Sequence, residues 1–247
     1  MAEQTRLYIV TSPHARVGKT LLARLLIEFF RHSERLVAGY DLNPREPVLA
    51  GHFPELVWPL DIADTRGQMA LFDRLIERDA ITRVIDLGYG LCDQFFAVMN
   101  EIGFVREARR RSIEPVVLFI ADRAPATPRV FAELRRSLPS TMVLPVHNEA
   151  VSVYFERDDF PPSRPEYRMV RIPRLSPIVR GVIDRPSFSF GDHLIDQRGG
   201  RTEIHDWIDG IFTEFRELEL RLLMGRLSSV LAGSPSKGPQ PRRKPPT

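Results

Sequence analysis

Cysteine is almost missing: Cys92 is the only one in 247 residues. That excludes a disulfide framework, and a lone thiol fits a reducing compartment. Every apolar run falls well short of the roughly 18–20 residues needed to span a bilayer. The opening Met1-Ala2-Glu3-Gln4-Thr5-Arg6 leads into a strand-like segment without the apolar stretch of a secretory signal. Clustered metal ligands are lacking as well, since the six histidines show no zinc spacing. No Gly-x-Ser-x-Gly elbow marks a hydrolase nucleophile. The expectation is a soluble, cytoplasmic protein with no transmembrane segment.

What is present is enough to fold. A 43% hydrophobic content rules out disorder throughout, and the length suits one α/β domain. The net charge of +3 is misleading, because the last 22 residues carry five basic residues and no acid. The remainder therefore stands at −2, and the basic character belongs to the tail. Residues 233–247, rich in Pro, Ser and Gly, read as a disordered basic tail following a single domain over 1–232. Such a tail either solubilises the chain or touches nucleic acid or an anionic surface through counterion release.

Short apolar runs alternate with amphipathic stretches, the pattern of a doubly wound, mostly parallel α/β sheet flanked by helices. Strands are expected at residues 7–12 (LYIVTS), 36–41, 56–60, 83–88, 115–121 (PVVLFIA) and 141–146, with a brief one at 168–172. Helices are expected at 19–32, 64–79, 94–111, 128–137 and 203–231. Trp207, Ile208, Ile211, Phe212, Phe215, Leu218, Leu222 and Leu223 give the last of these a core-packing face.

The chemistry concentrates between the first strand and the first helix. There Ser12-Pro13-His14-Ala15-Arg16-Val17-Gly18-Lys19-Thr20 ends in the triplet of a phosphate-binding loop. Backbone N–H groups at a helix N-terminus attract an anion, a Lys supplies a point charge, and a hydroxyl serves Mg²⁺. The usual first glycine is replaced by Pro13, which has no N–H and a fixed φ. Asp41 and Asp86 stand at the ends of two further strands.

Val10 to Thr20 resembles the deviant phosphate loop of the ParA/MinD family of P-loop ATPases, Gly-Lys-Gly-Gly-Val-Gly-Lys-Thr. Two more segments extend the likeness: Tyr40-Asp41-Leu42-Asn43-Pro44-Arg45 resembles the family's Asp-x-Asp-Pro-Gln switch, and Arg83–Gly88 its strand ending in Asp. The resemblance implies that His14, Ala15, Arg16, Val17, Gly18, Lys19 and Thr20 cradle the phosphates of ATP. By the same likeness Thr20 and Asp86 hold the Mg²⁺ region, Gly88 lies near the γ-phosphate, and Asn148 contacts the base. The resemblance further implies that Asp41 and Asn43 form the catalytic switch and that a homodimer closes around two nucleotides.

Three departures qualify this. Asn43 stands where the family has the water-positioning Asp, and an amide orients a water without taking its proton. Asn43 before Pro44 also suits an Asx turn. His14 replaces the family's signature Lys, which reaches the partner's nucleotide, and Arg16 restores some charge. The implied function is a nucleotide-dependent switch or scaffold in DNA partition, plasmid transfer or intracellular positioning, with weak or lost ATP hydrolysis.

The alternative is an ATP-dependent ligase similar to dethiobiotin synthetase, whose loop also runs Val-Thr-Gly-x-x-x-x-Val-Gly-Lys-Thr. A DNA or protein partner is expected at Arg-rich surfaces. Arg106, Arg109, Arg110 and Arg111, with Arg135 and Arg136, either face DNA or merely complement helix C-termini. Arg164, Arg168, Arg171, Arg174, Arg180 and Arg185 form a second, looser series with Tyr167 and Phe188 interleaved.

Overall fold

The structure, a computed structural model, describes residues 4–151, 159–161, 168–196 and 200–232. The basic tail, Arg164 and Tyr167 lie outside the described residues. Seven strands form one parallel sheet: β1 (Thr5–Thr11), β2 (Val37–Asp41), β3 (Val57–Pro59), β4 (Thr82–Asp86), β5 (Ile113–Ala121), β6 (Met142–Asn148) and β7 (Val170–Ile172). Their order is β3-β2-β4-β1-β5-β6-β7, with β1 in the middle. The near-continuous apolar composition of β1 and β5 follows from burial on both faces, since helices cover each side.

Two separate cores result. One lies beneath α1 (Lys19–His32), α2 (Val48–His52), α7 (Pro177–Ile183), α8 (Phe190–Ile195) and α9 (Glu203–Ala232). The other lies beneath α3 (Thr65–Leu75), α4 (Cys92–Glu101), α5 (Phe104–Arg110) and α6 (Thr127–Ser137). This is the doubly wound sheet that the sequence pattern predicts.

Four readings need correction. Residues 94–111 are not one helix: α4 ends at Glu101, and Gly103, at φ 63°, turns the chain into α5. Glycine in a left-handed conformation is a common helix stop. The helix expected over 64–79 starts on the Asp64 cap and already ends at Leu75. Strand β6 runs on through Pro145 to Asn148; β7 pairs only with residues 146–148, so at Pro145 the strand is still an edge on that side. Leu223 is 46% exposed and shares an outward stripe with Leu220, Met224 and Leu227 rather than the core face.

The short helices α2, α7 and α8, invisible in the sequence pattern, are held by buried polar side chains. Arg24, inside α1, donates to the carbonyls of Ile183 and Phe188 and lies 4.5 Å over the Phe190 ring. Glu28, one turn on, accepts from the Ser189 hydroxyl and the Gly191 N–H. At the other end of the sheet, Glu219 of α9 accepts from Arg6 (2.6 Å), Arg35 (2.7 Å) and the Tyr8 hydroxyl. Strand β1 is thus clamped to α9 at its beginning and opens into the phosphate loop at its end.

Candidate functional site

Every residue that the sequence assigns to the nucleotide site sits at or just past the carboxyl ends of the strands. In open parallel sheets that edge, near the point where strand order reverses, is where ligands bind. The chain leaves β1 at Thr11, crosses to Gly18 and enters α1 at Lys19. Gly18 is left-handed at φ 98°, and Arg16 adopts φ 59°, a conformation costing an L-residue about 1 kcal/mol. Arg16 thus takes a backbone shape usually left to glycine, with its side chain exposed. No acceptor among the described residues takes the N–H groups of residues 15–20. A row of unpaired donors at the start of a buried fourteen-residue helix is an anion nest.

Lys19 stands beside it. Its Nζ donates to the His14 carbonyl at 2.5 Å and lies 6.0 Å from the centre of the Tyr89 ring. Burial lowers its pKa, against the raising influence of Asp86. The Thr20 hydroxyl donates to Asp86 Oδ2 at 2.6 Å, while Asp86 Oδ1 is buried without a partner. Burial raises the Asp86 carboxyl to about 7. An orphaned carboxylate oxygen opposite a hydroxyl suits a hydrated divalent cation shared with phosphate oxygens, as Mg²⁺ is usually held. Among the described residues no three His, Cys, Asp or Glu converge, so these residues form no all-protein cage for a metal.

The remaining residues are committed to one another. Asp41 Oδ1 accepts from the backbone N–H and the side-chain amide of Asn43 at 3.1 and 3.0 Å. Its Oδ2 accepts from Leu49 and Ala50 N–H at the start of α2. With four donors Asp41 is saturated and fixes the shape of the loop after β2. Gly88 fits there because a Cβ would stand 2.8 Å from Asn43 Oδ1. Asn148 donates to the Val17 carbonyl at 2.9 Å and accepts from Ala150 N–H, clamping the phosphate loop to β6.

His14 turns sideways. Its Nδ1 lies 2.5 Å from Asp122 Oδ2, just past β5, while Asp122 Oδ1 accepts from Ala124 N–H and the Thr127 hydroxyl. The nest is therefore not blocked by the His14 ring. Sequence reasoning missed both Asp122 and Tyr89. Asp122 was findable: it ends the strongest apolar run, at the same sheet edge as the loop.

Five arginines of the two series are tied up on the protein itself. Arg109 pairs with Glu114, Arg111 with Glu107, Arg171 with Glu149 and Arg180 with Asp184. Arg135 donates to the Pro161 carbonyl.

No protein-family model matches the sequence, and no curated protein matches it. Solved structures do. The MinD cell division protein of Aquifex aeolicus superposes with a TM-score of 0.56 at 14% identity, over 87% of this chain and 97% of that one. The chain has the MinD fold. A nucleotide-binding protein from Archaeoglobus fulgidus, solved in complex with ADP, matches at 0.45 and 14% identity over 75% of this chain and 90% of that one. In this chain the MinD fold brings the phosphate loop, Asp41 and Asp86 to one edge of the sheet. No helix among the described residues is long and apolar enough to cross a membrane.

Gly18 bears most of the loop's geometry, which makes it testable. An alanine there meets a disfavoured φ and a Cβ 2.5 Å from Asn148 Nδ2. Gly18→Ala is expected to destabilise the protein by about 2–3 kcal/mol, from left-handed strain and loss of the Asn148–Val17 hydrogen bond. Urea denaturation measures this, with Asn148→Ala separating the hydrogen bond (about 1 kcal/mol) from the strain.

Proposed function

We propose that this chain is a nucleotide-binding switch or scaffold of the MinD/ParA kind, binding ATP with Mg²⁺ and hydrolysing it weakly or not at all. The unpaired N–H groups of residues 15–20 beside Lys19 carry this reading. On it Lys19 leaves the His14 carbonyl for the β- and γ-phosphates, and Thr20 with Asp86 holds Mg²⁺, which neutralises phosphate charge. Asn43 orients a water, and neither carboxylate is left to take its proton on this reading: Asp41 is saturated, and the second oxygen of Asp86 is given over to Mg²⁺.

Nucleotide binding closes two copies, and the closed dimer engages DNA or a protein partner in partition, plasmid transfer or positioning. His14 is engaged with Asp122 of its own subunit, so the exposed Arg16 is the group able to reach across.

Titration calorimetry with Mg²⁺-ATP tests the reading. Lys19→Ala is expected to weaken binding by about ten- to a hundredfold, the worth of a charge-assisted contact to phosphate. Sizing of the same samples reports dimerisation. Equal heats from the native chain and the variant would leave a scaffold that makes no use of nucleotide.

A further inference from the structure

The opposite edge of the sheet carries a second feature that the nucleotide reading does not use. An open groove of about 860 Å³ runs between the α4–α5 junction and the turn joining α6 to β6. Its apolar lining comes from Met99, Ile102, Val105, Leu138 and Pro139, and Ile102 is 51% exposed. Its charge comes from Arg106, Arg109 and Arg110 against a single acid, Glu101. Arg109 is spent on Glu114 and the Ser140 carbonyl. Arg106, by contrast, makes no ion pair among the described residues, and Arg110 is 3.9 Å from Glu107 with a side chain 70% exposed. Thr141 lines the same groove, 5% exposed, and its hydroxyl is buried without a partner.

We propose that this groove binds an acidic peptide segment of a partner protein, one that carries an apolar anchor side chain. The anchor seats against Ile102, Val105 and Leu138, while its flanking carboxylates meet the guanidinium groups of Arg106 and Arg110 in bidentate geometry. Charge complementarity selects the sign of the partner, because the lining is cationic on a body whose net charge is slightly negative. A nucleic acid fits less well: much of the wall is apolar, and Glu101, Glu107 and Glu114 interrupt the cationic row that a phosphate backbone follows. A small molecule would not be enclosed here, whereas peptides lie in open grooves.

The experiment pans phage-displayed random peptides on the immobilised full chain, then measures the strongest peptide in synthetic, fluorescent form by anisotropy. The expected result is an enriched pattern of Asp or Glu flanking Leu, Ile, Phe or Met. Its affinity should fall about tenfold or more in Arg106→Glu/Arg110→Glu, fall likewise in Ile102→Asp, and hold in Lys19→Ala. All substituted groove positions are exposed, so unchanged thermal unfolding verifies that the variants fold. An enrichment without acids, or an affinity indifferent to both groove variants, overturns the proposal. So does a short fluorescent DNA duplex that binds and is lost in Arg106→Glu/Arg110→Glu, since it would assign the groove to nucleic acid. Loss in Lys19→Ala would place the peptide at the other edge and overturn it too, whereas failure of nucleotide binding leaves this result untouched.

Discussion

Asn43→Asp is expected to raise phosphate release from Mg²⁺-ATP by about a hundredfold, the usual worth of a positioned general base. The expectation rests on the proposed nucleotide site. Asn43 already sits where its side chain contacts Asp41 and flanks Gly88, so the substitution changes charge at nearly constant volume. It also puts two carboxylates side by side, because Asp41 Oδ1 loses the amide donor at 3.0 Å. By like-charge repulsion the neighbouring Asp41 carboxylate strengthens the proton affinity of the introduced Asp, which improves it as a base. The same repulsion costs about 1 kcal/mol of stability. Malachite-green detection of phosphate, with Asn43→Ala as control, reads the outcome. An Asn43→Asp variant that binds ATP and releases phosphate no faster than the native chain would remove residue 43 from the switch.

The largest effect on stability is expected far from that edge. Glu219→Ala strips the shared acceptor from Arg6, Arg35 and Tyr8 and is expected to cost about 3 kcal/mol, because Arg6 and Tyr8 are left desolvated and unpaired. Glu219→Gln keeps an acceptor without the charge and should cost about half as much. Chemical denaturation distinguishes the two. Burial, and next the Glu219 charge, hold the Tyr8 hydroxyl well above the ordinary tyrosine range. Protonated Tyr8 is the form that donates to Glu219, and raising the pH past the unfolded tyrosine value favours the unfolded chain, which ionises first. The clamp is therefore indifferent to pH across the neutral range and weakens above about pH 10.

Local chemistry was legible in the sequence, and long-range pairing was not. The β1–loop–α1 unit was readable because a buried strand, a Gly-Lys-Thr triplet and a helical apolar period follow one another directly. Strand positions were readable because parallel strands are apolar throughout. Helix α2 was not, since five residues carry no period and its start is fixed by Asp41, seven residues before it. Helices α7 and α8 depend on Arg24 and Glu28, more than 150 residues away. The break at Gly103 had a visible cause, a lone glycine within an otherwise helical pattern.

In the candidate site, residue identities were readable, whereas commitments were not. Asn148 and His14 have partners that only the folded sheet brings near, and those partners decide whether each side chain meets a ligand or holds the loop.

The Glu219 clamp bears on how this protein is shortened for experiments. A deletion ending before residue 219 takes away the counter-ion of the central strand, and the phosphate loop hangs from that strand's other end. Lost binding in such a fragment would report a loosened scaffold and say nothing about the removed residues. Cutting after Leu227 keeps the clamp and every core contact of α9 among the described side chains, so the basic extension is best interrogated there.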